Sequence, residues 1–332
     1  MSKSWTEEQL WQVARAYQES AVLLAAGELD VFTALAGDEV TAGQLAEALD
    51  GDLRATTMLA DALAAMELLV KRDGRYSVAP GVADVMAADG ADSELALMRH
   101  TANCLRSWAQ LATVVRTGQP GERPPSIRGE EADLEAFIEA MENASRQAAP
   151  RIVREIGPPS FGHLLDVGGG PGTWTIAFLQ AVPGATATLY DCPNVVPIAE
   201  KHFRDAGLLD RVTLVPGDFY EDDALPGGAD LAWVSAIVHQ NSRRQNRDLF
   251  AKVHAALVPG GRILIRDVVM DAARTDPRYG AMFAINMLVN TPGGGTFTFE
   301  ELGEDLAAAG FAEPTLLRRD PAMNSVVQAT RL

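Results

Sequence analysis

The chain is 332 residues long, enough for two domains of ordinary size, each with its own core. Its hydrophobic content of 47% is that of a globular protein and excludes large-scale disorder. With 28 basic against 45 acidic residues, net −17, its field repels phosphate backbones, so a small-molecule partner is expected rather than a nucleic acid.

No apolar run approaches the roughly 20 residues that cross a bilayer, and the opening MSKSWTEEQLWQ is too polar for a secretory signal. The two cysteines, Cys104 and Cys192, lie far apart with no metal-ligand spacing. A cytoplasmic protein without disulfides, membrane attachment or a bound metal is the expectation.

Residues 8–155 carry apolar side chains mostly at helical spacings of three and four. Thr41 is placed to cap TAGQLAEAL, and Asp52 opens DLRATTMLADALAAMELL. VKRDGRYSVA follows, with Asp73-Gly74 as a hairpin signal between short alternating segments. Helix, turn, helix, hairpin is the order of a winged helix. A DNA-reading second helix needs basic or amide side chains, whereas Arg54 is here accompanied by Asp50, Asp52, Asp61 and Glu67. A packing and dimerisation module is therefore expected.

Next the pattern predicts one long helix through residues 93–118, a Pro/Gly-rich loop QPGERPPS, and a second helix through residues 134–156. His100, Asn103, Trp108, Met141 and Asn143 on these helices mix polar, aromatic and sulfur side chains. Each alone reads as core or surface; together they are candidates for the wall of an acceptor pocket.

After the break at Gly157-Pro158-Pro159 the rhythm changes. HLLDV, ATATLYD, RVTLV, ADLAWVS and GRILIRD alternate with helical segments, followed by PTLLRR and SVVQAT. The expected fold class is α/β, a mostly parallel sheet covered on both faces, preceded by the helical portion. Domains are expected over residues 1–155 and 156–332.

The first strand runs into LLDVGGGPGTW, with Asp166, then Gly168, Gly169, Gly170 and Gly172. Such a turn lets backbone lie against a ligand, and the following helix offers free N–H groups. Its spacing is GxGxG, not the GxGxxG of dinucleotide binders. Asp191, followed by Cys192, ends the second strand, where a carboxylate can accept from ribose hydroxyls. Gly217, Asp218 and Phe219 follow the third, suited to an adenine amine and ring face. These features at successive strand ends point to an adenosine-type ligand. The loop lacks the Lys-Ser/Thr of nucleoside triphosphate sites, which leaves a dinucleotide or S-adenosylmethionine.

LLDVGGGPG, LYDCPNVV, GLLDRVTLVPGDFY, HAALVPGGRILIRD, MLVNTPGGGTFTFEEL and the winged-helix portion resemble, in order and wording, the S-adenosylmethionine-dependent small-molecule O-methyltransferases of the plant caffeate and bacterial polyketide type. The resemblance covers nearly the whole chain. It implies a seven-stranded Rossmann-like sheet, a helical dimerisation domain that contacts a second subunit, S-adenosylmethionine as methyl donor and S-adenosylhomocysteine as product. By that resemblance the glycine loop holds the methionine part, Asp191 the ribose, and Asp218 with Phe219 the adenine. His239 falls on the family's general base and Asp267 on the glutamate that orients it. Gln240-Asn241 replaces the usual Asp or Asn followed by Trp. Ser235, counted with the cofactor-binding positions, stands where plant members carry lysine, and Thr296 where they carry a second orienting glutamate.

Asn286 and Asn290 are amides four apart on one helical stripe of AMFAINMLVNTPGGG, which the resemblance places along the acceptor pocket. The reading is O-methylation of a small aromatic hydroxylated metabolite by a homodimer. Its rivals are methylation at carbon, sulfur or nitrogen, a non-methylating use of the same cofactor, and a winged-helix DNA-binding regulator. A metal site using His239 and Asp267 has no ligand spacing to demand it. Of the other histidines, His163 is expected to be structural, and His202 and His254 to be solvated.

Overall fold

The computed structural model describes residues 4–37, 39–157 and 160–332; Pro158 and Pro159, in the predicted interdomain break, lie outside the described residues. The chain forms two compact units, Met1–Arg106 with Arg123–Ala140, and Ser107–Glu122 with Met141–Leu332.

The first unit begins with α1 (Glu7–Arg15), α2 (Tyr17–Glu28), α3 (Val31–Ala34) and the short β1 (Val40–Thr41). Thr41 caps α4 (Ala42–Ala48) in a reciprocal capping box with Gln44, and Asp52 caps α5 (Leu53–Ala65) by accepting from the Ala55 N–H. β2 (Leu69–Arg72) and β3 (Arg75–Val78) pair antiparallel, with β1 on the other side of β3. Asp73 and Gly74 between them both have positive φ, 48° and 76°, as a two-residue hairpin turn of this hand requires. Phe32, Leu35, Leu45, Leu63 and Tyr76 form the core of this winged helix. α6 (Val82–Met86) and α7 (Leu95–Trp108) follow.

Both long helices predicted for this region are broken. α7 stops at Trp108 and α8 (Leu111–Thr117) restarts after it, at the point where the chain enters the second unit. α9 (Glu130–Arg146) and α10 (Ala148–Glu155) are interrupted at Gln147, where Pro150 has no N–H to offer the Arg146 carbonyl four residues earlier.

The second unit is built on a seven-stranded sheet. Its strands are β4 (His163–Val167), β5 (Thr186–Asp191), β6 (Val212–Pro216), β7 (Ala229–Ser235), β8 (Leu257–Asp267), β11 (Phe311–Arg318) and β12 (Ser325–Arg331). They lie in the order β11-β12-β8-β7-β4-β5-β6. β4 to β8 are mutually parallel; β12 runs antiparallel to its neighbours β8 and β11. All seven predicted segments are present. A two-residue pair between β9 (Val269–Met270) and β10 (Phe297–Thr298) is an addition too short to read from sequence.

Alternate side chains of each strand enter two separate cores, the signature of a sheet buried on both faces. Leu165, Ala232, Val234, Ile263 and Ile265 pack with α13 (Arg243–Ala256) and α15 (Phe299–Ala308). Leu164, Leu231, Trp233 and Leu264 pack with α10, α11 (Thr173–Ala181) and α12 (Val196–Asp205). α14 (Arg278–Asn290) precedes β10. The strand order reverses between β4 and β7: the chain steps outward to β5 and β6, then returns to the other side of β4. A crevice therefore opens at the carboxyl ends of these two strands.

Among the described residues no helix is long and apolar enough to cross a membrane. Leu164 is fully buried at the centre of its core. Leu164→Ala should lower the unfolding free energy by about 2–5 kcal/mol, measured by urea denaturation.

Candidate functional site

Two loops meet at the crevice. The first follows β4. Its last glycine, Gly172, caps α11 at φ 84°, and a Cβ there would lie 2.5 Å from Phe203, so only glycine is accommodated. Gly170, at φ 55°, has nothing within 4 Å of where a Cβ would project, which leaves bare backbone facing open space. Asp166 is buried beneath the loop and accepts from the Thr175 hydroxyl at 2.5 Å; burial raises its pKa to about 7.

Asp191, at the end of β5, is tied to this loop directly. Its Oδ2 accepts from the Gly170 N–H and its Oδ1 from the Cys192 N–H, both at 2.7 Å. Burial raises its pKa against those two bonds. Beyond β6, the Gly217 N–H donates to the Asp191 carbonyl at 2.9 Å, and Asp218 accepts from the Tyr220 N–H at 2.8 Å. The Phe219 ring comes to 3.7 Å from the Cβ position of Gly168. Asp166, Asp191, Cys192, Asp218 and Phe219 are thus gathered around one loop. The combination of bare backbone, a carboxylate one strand away and an aromatic edge fits an adenosyl amino acid.

The second loop follows β7. Ala236 sits in the left-handed region at φ 57°, an uncommon place for a side chain and one found at functional turns. Ile237 packs over Gly168, 2.6 Å from its Cβ position, and joins the two loops. His239 then occupies a single 3₁₀ turn, Val238–Gln240, before Ser242 starts α13 with a capping box to Gln245. The polar run after His239 is therefore a helix start. Asn241, fully buried, accepts from the Tyr220 hydroxyl and donates to Asn246, which ties this turn to the segment after Asp218.

His239 Nδ1 lies 3.0 and 2.9 Å from the two oxygens of Asp267, whose side chain is 1% exposed. Asp267 also accepts from the Val268 and His239 N–H groups. A carboxylate so placed holds the proton on Nδ1 and leaves Nε2 with a free lone pair. This arrangement can accept a proton from a hydroxyl and stabilise the resulting imidazolium. The Phe283 ring stands edge-on to His239, 4.9 Å between centroids, and Tyr279 stacks on Phe283 at 5.7 Å. The Thr296 hydroxyl turns away, donating to the Gly280 carbonyl.

The predicted acceptor residues divide between the units. His100 and Asn103 lie in the first; His100 packs on Phe137 at 5.1 Å, its pKa lowered by burial, and Asn103 accepts from Arg106. Trp108, Met141, Asn143, Asn286 and Asn290 lie in the second. There the Trp108 indole donates to Asn286 Oδ1 at 2.8 Å, and Asn290 donates back to Asn286 at 2.8 and 3.1 Å. Asn143 accepts from Arg146. Ser235 accepts from Arg266 at 3.0 Å.

Phe283 and Tyr279 were not anticipated, although they fall on the stripe of Asn286 and Asn290. Two histidines differ from expectation. His202 is mostly buried, 3.5 Å from Glu142, and His254 packs edge-on to Phe311 at 5.1 Å, because each faces a neighbouring element rather than water. His163 bonds to Thr186 and Thr188 across the strands. Among the described residues no cluster of three or more His, Cys, Asp or Glu is arranged to hold a metal. A groove of about 530 Å³ runs between Phe219, Tyr220 and α13, and neither His239 nor the glycine loop lines it.

Comparison with known proteins bears on this geometry. Residues 124–312 match the O-methyltransferase domain and residues 11–89 the O-methyltransferase dimerisation domain. The 3-hydroxy-5-methyl-1-naphthoate 3-O-methyltransferase of Streptomyces sahachiroi is 30% identical over 97% of this chain and 94% of its own. The tetracenomycin polyketide synthesis 8-O-methyl transferase of Streptomyces glaucescens is 30% identical over 91% and 90%. Human N-acetylserotonin methyltransferase, solved in complex with S-adenosylmethionine, superposes with a TM-score of 0.80 at 25% identity, covering 100% of this chain and 99% of that one.

The raised pKa of Asp166 has a thermodynamic consequence. The folded state keeps a proton that the unfolded chain releases at about 3.8, so Asp166 makes stability fall as pH rises from about 4 to about 7. Asp166→Asn, which can still accept from Thr175, should gain stability relative to the native protein over that window, measured by urea denaturation at pH 5 and pH 8. An unchanged difference would place the Asp166 titration outside that window.

Proposed function

Since the chain belongs to the O-methyltransferase family and is a methyltransferase, we propose that it methylates a hydroxyl of a small aromatic metabolite, with His239 as general base and Asp267 as the group that orients it. The observation that carries this reading is the Asp267–His239 pair at 2.9 Å, set beside the glycine loop at the crevice.

The methyl donor is S-adenosylmethionine, whose sulfonium-bound methyl is electrophilic and leaves a neutral thioether, S-adenosylhomocysteine. In this reading Gly168, Gly169, Gly170, Gly172 and Ser235 flank its amino-acid part. Asp191 takes the ribose hydroxyls, supported by Asp166 and Cys192 beside the loop, and Gly217, Asp218 and Phe219 take the adenine. The relatives that act on naphthoate and tetracenomycin polyketide skeletons support an aromatic acceptor.

The acceptor hydroxyl gives its proton to His239 Nε2 as its oxygen forms the new bond to carbon. Asp267 stabilises the imidazolium until water removes the proton. Aligning nucleophile and methyl is the larger contribution, and rigid walls supply it. Phe283, edge-on to His239, and Tyr279 stacked on it provide an aromatic wall beside the imidazole. Asn286, held by Trp108 and Asn290, offers its amide N–H groups to the acceptor, with Met141 and Asn143 of the same unit as further proposed contacts.

The functional division is residues 1–155 for dimerisation and acceptor selection and 156–332 for donor binding and catalysis. The partner is a second copy of the chain. In support, α1 leaves Leu10, Trp11 and Val13 more than half exposed, apolar surface that a protein partner would cover. A cytoplasmic enzyme that binds neither nucleic acid nor membrane fits the acidic charge. It also fits Asp61, on the helix that would read DNA, which pairs with Lys71 of the wing at 2.5 Å.

Calorimetry with S-adenosylmethionine and mass spectrometry of the product test the activity; no affinity for the donor overturns it. His239→Ala should leave donor affinity within about twofold and cut turnover by about 10²- to 10⁴-fold. Undiminished turnover would remove His239 from the chemistry.

A further inference from the structure

The alternation that sends Ile263 and Ile265 into one core and Leu264 into the other continues to the end of β8. Asp267 accordingly faces His239, and Arg266 faces the α11 side of the sheet. Arg266 is 5% exposed. Its guanidinium lies 4.6 Å from the centroid of the Trp174 ring, Nε donates to Asn324 at 2.8 Å, and Nη1 donates to Ser235 at 3.0 Å.

Among the described residues Arg266 makes no ion pair within 4 Å, and its Nη2 donates to none of them. Nor is Nη2 sealed in: the fully buried, unpartnered side-chain polar atoms among the described residues are Glu94 Oε2 and Trp233 Nε1. A buried cation without a contact ion pair is costly: burial lowers the Arg266 pKa to about 10 against the longer-range attraction of Asp267 and Asp320. A methionine or leucine would fill the same space without that cost. The other buried charge clusters of this unit are closed, as where Arg243 and Arg247 pair with Asp305. Among the described residues of this unit, Arg266 is a buried cation at the strand ends with no carboxylate within ion-pair distance.

Trp174, on which the guanidinium rests, is the second residue of α11, directly after the glycine turn. Ser235, which it holds, ends β7 just before the turn to His239. We propose that Arg266 is a carboxylate-binding residue, with Nη2 taking up a carboxylate of a molecule bound at the carboxyl ends of β4, β7 and β8. Planar guanidinium groups pair with carboxylates through directional, charge-assisted bonds. The amino-acid carboxylate of the methyl donor is the favoured source, since Arg266 lies on the α11 face with the glycine turn and away from His239. A carboxylate on an aromatic acceptor is the second source. The inference rests on the donor reading above.

The test is calorimetry on the purified native protein and on Arg266→Met and Arg266→Lys. The donor probes are S-adenosylhomocysteine and its decarboxylated analogue. The native protein should prefer the carboxylate form by about 10- to 100-fold. Arg266→Met should bind both forms alike, and Arg266→Lys should recover part of the preference. If the carboxylate belongs to the acceptor, the same pattern will appear instead between 3-hydroxy-2-naphthoate and 2-naphthol. The proposal is overturned if the native protein shows neither preference, a result that requires no variant to fold. It is equally overturned if Arg266→Met weakens both members of each pair by the same factor, which is the mark of a purely structural role. Binding of neither adenosyl compound by the native protein would instead defeat the donor reading itself.

Discussion

The reversal of strand order between β4 and β7 is the constraint from which the site follows. Parallel strands end on the same side of a sheet, and the connections leaving adjacent strands normally cover one another's ends. Where consecutive connections depart in opposite directions, the strand ends stay uncovered. The glycine loop leaves β4 toward α11 on one face, and the His239 turn leaves β7 toward α13 on the other. Backbone that can approach a ligand and a side chain that can take a proton are thereby placed side by side, although His239 lies 67 positions after Gly172.

Several contacts keep the two loops in register. Ile237 closes over Gly168, Tyr220 reaches Asn241, and Asp191 grips the Gly170 amide. Each ties one strand end to another, so the geometry does not depend on either loop alone. Ala236 bears the cost, held in a backbone conformation that favours glycine. Such strain persists where the surroundings over-determine it. Here the surroundings are the Ser235–Arg266 bond on one side and the Asp267–His239 pair on the other.

Polarity in this crevice is divided by face. Asp267 and His239 lie toward α13, while Asp166, Trp174 and Arg266 lie toward α11. The same period-2 alternation that separates the two apolar cores separates these polar groups. One strand, β8, thus presents the carboxylate that bonds to His239 and a buried cation in consecutive positions on opposite faces of the sheet. Asp166 and Arg266 both pay for burial, with pKa values displaced toward their neutral forms, as expected of charged groups set at the floor of a ligand site.

What the sequence determined by itself was local and periodic. The seven strands were legible because a sheet buried on both faces needs short continuous apolar runs. The caps at Thr41 and Asp52 and the Asp73-Gly74 turn were legible because each answers a backbone demand within four residues. The glycine loop, Asp191 and Asp218 were legible as a set because each must sit at a strand end. Tertiary structure decided the rest, since it depends on which side chains meet across distant segments. Pro150 could break its helix by local sterics, yet the break after Trp108 carries no such mark, and the indole's partner Asn286 is 178 residues away. His202 and His254 read as solvated because helical periodicity does not reveal which neighbour covers a face. Arg266 carried one faint signal, a charge where GRILIRD should stay apolar. Whether that charge was paired, exposed or waiting could be answered only by packing, because a guanidinium's cost depends on the groups that surround it and those come from strands and helices far apart in the chain.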